Sequence, residues 1–369
     1  QLGFYKYVPE TKEDLDWADL VTVDLSLYGT AKGKKQLAKT LIEAPAVKGF
    51  FYVKNFNISP EHIDRQFALG KQFFELPVEE KSAYTPDMGN GKVNGYIPAS
   101  RKIINVDTGT RDRTEMYNIP KFNGYFPQVH PPVVAENLKE VEEFARSLHS
   151  EVLDPLFVLL AIALDLPKDV FTNIHNYEEK SEDHLRYMKY SKFTKEKNRK
   201  IMNWSYGHTD LGSFTLLFRQ PVAALQILYH SIDEWKWVKP QDATLTVNSC
   251  DVLSFLTGGY VKSTTLAPFL NALPSRMTVP PKDQQHVDHL GLLYFSRPHD
   301  NVTLATVKNL QVLEWEGHSQ NQFESSGNKV LTMEEWTFAK QTWQRAKGSR
   351  TGEFSTATIL LGFKEQVYV

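Results

Sequence analysis

Cysteine is almost missing from this 369-residue chain: Cys250 is the only one, which excludes an internal disulfide and any multi-thiolate metal site. A reducing compartment is expected. An excess of either charge is missing too, with 42 Lys and Arg against 44 Asp and Glu and a net charge of -2. Nothing electrostatic therefore draws nucleic acid or an anionic membrane to it. No segment approaches the ~20 consecutive apolar residues of a membrane span. The stretch Gln1 to Lys6 shows no basic region leading into an apolar one, so no secretory signal is read there and a cytoplasmic location is expected. What is present, 41% hydrophobic and 12% aromatic residues, suffices for a sizeable core. The expected partner is a small molecule.

The first third alternates short extended and helical signals. Leu20 to Leu25 and Gly49 to Val53 read as strands, and Gly33 to Glu43 as a helix. Ser59-Pro60-Glu61 sets a capping serine before a first-turn proline, opening a helix through Ile63, Phe67 and Phe74. This region, residues 1–130, is read as α-rich. Gly89 to Pro98 breaks regular structure, and Asn137 to Asp165 has the period of one long helix. From Leu185 the pattern becomes many short β runs: Leu185 to Tyr190, Phe214 to Phe218, Leu225 to Leu228, Trp235 to Val238, Thr244 to Val247 and Leu292 to Ser296. Such spacing points to a sandwich or jelly roll with flanking helices. Thr332 and Glu335 form a capping box for a last helix running to about Ala346. The range 131–369 is read as an all-β core with a backing and a C-terminal helix, forming one compact unit with the first region.

His208 and Asp210, in Gly207-His208-Thr209-Asp210, are two apart, so on a strand an imidazole and a carboxylate project from one face and can share an ion. That pair supplies two of the three ligands of a non-haem iron centre. By itself His-x-Asp is a weak signal, and a surface or core role is the ordinary alternative. The segment Lys262 to Asp283, where a third ligand would follow, contains no histidine.

Several blocks in order carry a resemblance across nearly the whole chain: Gly49-Phe50-Phe51-Tyr52-Val53, Phe73-Phe74-Glu75-Leu76-Pro77, Leu185 to Tyr190, His208-Thr209-Asp210, Gly258-Gly259-Tyr260-Val261-Lys262-Ser263-Thr264, Val279 to Gln284 and Tyr294 to Pro298. The chain resembles the isopenicillin N synthase-like branch of the iron(II)/2-oxoglutarate-dependent dioxygenases, its fungal natural-product members above all. The resemblance implies a double-stranded β-helix (jelly roll), with Fe(II) held by His208, Asp210 and a distal histidine, and 2-oxoglutarate anchored by a late arginine. In this chain the simplest register places Ser275 at the distal position, after an insertion at Leu266 to Pro274, and His289 and Gly291 at the family's Arg-x-Ser. A shifted register would offer His286 and Arg297 instead. The resemblance also marks Tyr190 and Asn203 beside the cosubstrate, and Tyr96, Arg101, Tyr187 and Phe214 as substrate contacts.

Three functions stay open on these residues. One is oxidative tailoring of a small hydrophobic natural product with an incomplete facial triad. Another is redox-neutral catalysis by His208 on the same fold, as an isomerase, dehydratase or pericyclase using neither iron nor 2-oxoglutarate. The last is a non-catalytic partner subunit.

Overall fold

The computed structural model describes residues 2–47, 49–101, 103–105, 108–194, 196, 203–229, 234–261, 275–308, 318–346, 354–360 and 363–368. The insertion at 266–274 lies outside these residues. The strands in chain order are β1 (Thr22–Asp24), β2 (Phe50–Lys54), β3 (Gly95–Ile97), β4 (Ile103–Asn105), β5 (Thr110–Arg111), β6 (Thr114–Pro120), β7 (His184–Tyr190), β8 (Asn203–His208), β9 (Phe214–Phe218), β10 (Leu225–Tyr229), β11 (Glu234–Trp237), β12 (Thr244–Ser249), β13 (Ser275–Thr278), β14 (His289–Phe295), β15 (Phe354–Leu360) and β16 (Phe363–Tyr368).

Two sheets carry the architecture. The larger has the order β1-β2-β12-β9-β14-β7-β6-β3, and the smaller β11-β10-β13-β8. From β7 to β14 the chain passes from one sheet to the other at each connection except the β10–β11 hairpin, which is jelly-roll winding. The expected double-stranded β-helix is thus formed by these strands. The N-terminal region, read as helices with strands at Leu20 to Leu25 and Gly49 to Val53, lends β1, β2, β3 and β6 to the large sheet besides its helices.

Strand alternation sorts the large sheet into two faces. Leu185, Tyr187, Leu216, Leu245, Leu292 and Tyr294 join the main core against the helices. Apolar residues on the other face meet the small sheet in two minor clusters. One holds Phe50, Tyr52 and Ile227, the other Tyr190 with Met188 and Met277. Burying an aromatic or aliphatic side chain of this size contributes roughly 1.5–3 kcal/mol. The helix layer therefore stabilises the barrel from one side only, and the inter-sheet face is left free to carry polar groups.

The helix Pro60–Glu75 begins as read, with Ser59 Oγ accepting from His62 N at 3.1 Å. The long helix read over 137–165 runs without a break from Leu138 to Ala163, with a π turn at His149–Leu153 between its α-helical parts Leu138–Leu148 and Asp154–Ala163. Pro155 is the cause: it has no N–H and its ring would strike the carbonyl one turn back, which a wider turn avoids. Within the stretch read as broken, Gly95 starts β3 at φ +120°, and a Cβ there would lie 2.4 Å from the Tyr84 carbonyl oxygen. The last helix, Met333–Ala346, has the capping box expected of it, with Glu335 N donating to Thr332 Oγ1 and Thr332 N to Glu335 Oε2. Among the described residues no helix is long and apolar enough to cross a membrane.

Candidate active site

His208 ends β8 on the small sheet, and Asp210 sits in the turn leading to β9 on the large one. His208 Nε2 and Asp210 Oδ1 are 3.7 Å apart, the imidazole about two-fifths exposed and the carboxylate about one-fifth. Asp210 Oδ2 accepts from Thr215 Oγ1 at 2.9 Å and from Asn248 Nδ2 at 3.2 Å. Thr215 on β9 and Asn248 on β12 are directly paired, so both point to the inter-sheet face. That leaves Oδ1 turned toward His208.

The turn is also held from behind. Thr209 is buried and donates to Asp251 Oδ2 at 3.2 Å, while Lys340 Nζ from the last helix donates to both. Lys340 and Asp251 are each about 1% exposed. Trp336, one turn earlier, donates its indole N–H to the Leu211 carbonyl at 3.2 Å. Sequence reasoning missed this clamp, because a lysine on a helix reads as surface until its partner is known.

Ser275 opens β13 directly opposite His208. This is the serine that the simplest sequence register sets at the distal position. Among the described residues no group of three His, Cys, Asp or Glu side chains comes together. His286 is exposed, with its carbonyl accepting from Lys192 Nζ. Arg297 is buried past the end of β14 and donates to Glu182 Oε2 at 2.5 Å, with its backbone N bonded to Asp183. The shifted register that would use His286 and Arg297 is thereby overturned.

On β14, His289 lies across from Tyr190 and Gly291 across from Met188, so both face the barrel interior. The His289 and Tyr190 rings meet edge-on at 5.7 Å, and His289 Nδ1 is buried without a hydrogen-bond partner. Desolvation holds the His289 pKa down to about 4, so the ring is neutral at physiological pH. It does not provide the fixed positive charge of an arginine. A Cβ at Gly291 would meet Leu293 Cδ1 at 3.2 Å, so the family's serine would crowd that leucine. Asn203 opens β8 opposite Thr278, and its side chain is outside the described residues.

The expected substrate contacts divide sharply. Tyr96 pairs across from Tyr117, and its hydroxyl donates to Glu115 Oε1 at 2.6 Å, the carboxylate that also receives Lys81. Tyr187 donates to Gln66 Oε1 at 2.7 Å. Phe214 packs edge-on to Phe51 and against Phe157. All three point to the helix layer, away from the interior, because the alternation of their strands puts them there. Arg101 is exposed in the loop after β3. Its Nε donates to the Pro98 carbonyl at 3.0 Å, and the charge of its guanidinium is felt at Arg186 inside the barrel.

Residues 20–138 match the family described as non-haem dioxygenase in morphine synthesis, N-terminal, and residues 173–265 match the 2OG-Fe(II) oxygenase superfamily. A UPF0676 protein of Schizosaccharomyces pombe is 32% identical over 232 residues, 62% of this chain and 71% of that protein. The chain belongs to the iron(II)/2-oxoglutarate-dependent dioxygenase superfamily. Azadirone synthase of Melia azedarach is 28% identical over 68% of this chain and 77% of its own length. The crystal structure of a Neurospora crassa protein in complex with alpha-KG and thymine superposes with a TM-score of 0.73 at 19% identity, covering 88% of this chain and 97% of that one, which shows the shared fold. This dioxygenase-like chain is an oxidoreductase-family enzyme, and the cofactors of its superfamily are Fe(II) and 2-oxoglutarate. The second family match stops at Thr265, where the insertion begins. The donor set suits a divalent ion at two positions, His208 and Asp210. Among the described residues no third donor joins them, and the neutral His289 does not offer the charge of an arginine.

Proposed function

We propose that the protein oxidises a small, largely apolar molecule by hydroxylation, desaturation or oxidative rearrangement, from a metal position with two protein donors where its relatives use three. The carrying observation is the His208–Asp210 pair at 3.7 Å, with Asp210 oriented by Thr215 and Asn248. Iron(II) with 2-oxoglutarate supplies oxygen activation in this superfamily, and here His208 and Asp210 would hold the metal. Ser275, opposite His208, leaves its side of the site to water or an added anion. Met188, Met277 and Val279 give the interior an apolar wall, which suits a hydrophobic substrate. Relatives such as azadirone synthase and leucoanthocyanidin dioxygenase, named for natural products, support tailoring chemistry.

The pairing of Ser275 with His208 and the neutral His289 favour a second reading, in which His208 acts as a general acid or base beside Asp210 without redox chemistry. Anaerobic titration with Fe(II) and 2-oxoglutarate separates the two. A stoichiometric visible charge-transfer band, lost in Asp210→Ala, is the expected result for oxidation. No iron affinity in the folded protein, with turnover lost in His208→Ala, would replace oxidation by the second reading.

A further inference from the structure

The interior face of β7 carries His184, Arg186, Met188 and Tyr190. Arg186 is its one cation. Its Nε donates to Asn118 Oδ1 at 2.7 Å, and Asn118 is itself fixed by donating from Nδ2 to the Val93 carbonyl at 2.7 Å. One Nη2 proton goes to His184 Nε2 at 3.2 Å. His184 Nδ1 lies 3.0 Å from the Glu182 carbonyl, which can only accept, so Nδ1 carries the proton and Nε2 is the acceptor. The guanidinium lies 4.4 Å over the Phe295 ring. Two of its five N–H groups are thus used to set its orientation, and the Nη1 edge has no hydrogen bond among the described residues.

No carboxylate of the described residues pairs with Arg186. Glu182 is taken by Arg297, and Asp210, whose charge reaches Arg186 across the interior, is held by Thr215 and Asn248. Desolvation pulls the guanidinium down to about 10, so it stays charged at neutral pH. A charged group held in a fixed pose, partly open to the interior, with its bidentate edge unused, is a costly arrangement unless an anion completes it. The position is not that of the family's anchor. His289 lies opposite Tyr190, four residues along β7 from Arg186, or about 13 Å at ~3.3 Å per residue.

We propose that Arg186 is a carboxylate anchor of the barrel interior, binding an acid group on the ligand that the apolar wall accommodates. This rests on the reading of the interior as the substrate site and narrows the substrate class to apolar carboxylic acids. 2-Oxoglutarate has the same chemistry and is the other source of such a group.

The test is isothermal titration of the metal-free protein with 4-phenylbutyrate, its neutral amide and 2-oxoglutarate, in wild type, Arg186→Met and Arg186→Lys. The wild type should bind at least one acid about tenfold or more tightly than Arg186→Met does, with Arg186→Lys between them. A loss confined to 4-phenylbutyrate assigns the anchor to substrate, and a loss for 2-oxoglutarate assigns it to the cosubstrate. Asn118→Leu, which keeps the charge but frees its orientation, should weaken the same acid several-fold and guards against misfolding of the Arg186 variants. Equal binding of amide and acid, equal affinity in Arg186→Met, or no binding of either acid by the wild type overturns the proposal. Neither iron nor oxygen enters this assay, so its outcome is independent of whether the protein oxidises anything.

Discussion

Ser275 and His208 face each other as directly paired residues of β13 and β8, so an imidazole at 275 would arrive beside the one at 208. Ser275→His should therefore raise Fe(II) affinity by about tenfold or more, read by anaerobic titration, since a nitrogen donor replaces a hydroxyl at that position. Unchanged affinity would mean that residues 275 and 208 do not address the same ion.

Asp210 keeps its free oxygen toward His208 only while Thr215 and Asn248 hold the other. Thr215→Val combined with Asn248→Leu should lower Fe(II) affinity about tenfold, with little change in the circular dichroism spectrum. Retained affinity would show that the turn backbone alone sets the carboxylate.

Lys340→Met leaves Asp251 buried without its cation. Unfolding in urea should show a loss of about 3–5 kcal/mol, and Lys340→Met with Asp251→Leu should lose less than Lys340→Met alone. If the double variant is the weaker one, the pair adds net stability over an apolar replacement.

Burial holds the His149 pKa down to about 4 and that of His175 to about 3, alongside His289 at about 4. His175 stays neutral by donating from Nδ1 to the Phe171 carbonyl and accepting at Nε2 from Ser213. In the unfolded chain each titrates near 6.5. The unfolded state thus takes up protons that the native state refuses, so the stability these groups contribute is present above pH 6.5 and falls away toward pH 4 and below. Urea midpoints taken from pH 7 to pH 4.5 should decline steadily, and His175→Gln should flatten the slope by about one proton.

Tyr187→Phe removes the hydroxyl that satisfies buried Gln66. The expected cost is about 1–3 kcal/mol of stability with ligand affinity unchanged, the signature of a residue behind the sheet. A change in ligand affinity at constant stability would return Tyr187 to the cavity.

Much of the fold was legible because its signals were local. The Ser59-Pro60 start, the Thr332/Glu335 box and the run Phe214 to Phe218 are each settled by neighbouring residues. β6 was not legible. Its interior positions Thr114 and Asn118 are polar because they face the site, and Glu115 on its helix side is neutralised by Lys81 and Tyr96, so the apolar alternation of a strand is lost. The same reasoning explains the misplaced substrate contacts. Aromatic residues at 96, 187 and 214 look like pocket walls until the strand faces are known. The spacing of His208 and Asp210 suggests one face of a strand, whereas β8 ends at His208 and Asp210 lies in the turn beyond it; Arg186 gave no local signal, since it is Asn118 and Phe295 that hold it without an acid.

The clamp on the His208 turn joins residues 131 apart in sequence, Thr209 and Lys340. A ribosome making this chain finishes every barrel strand before it delivers that lysine. A nascent chain, or a shortened product ending ahead of Met333, has β1 to β14 but an unfastened turn at His208 to Asp210, so the order of that turn waits on a helix made after the whole barrel.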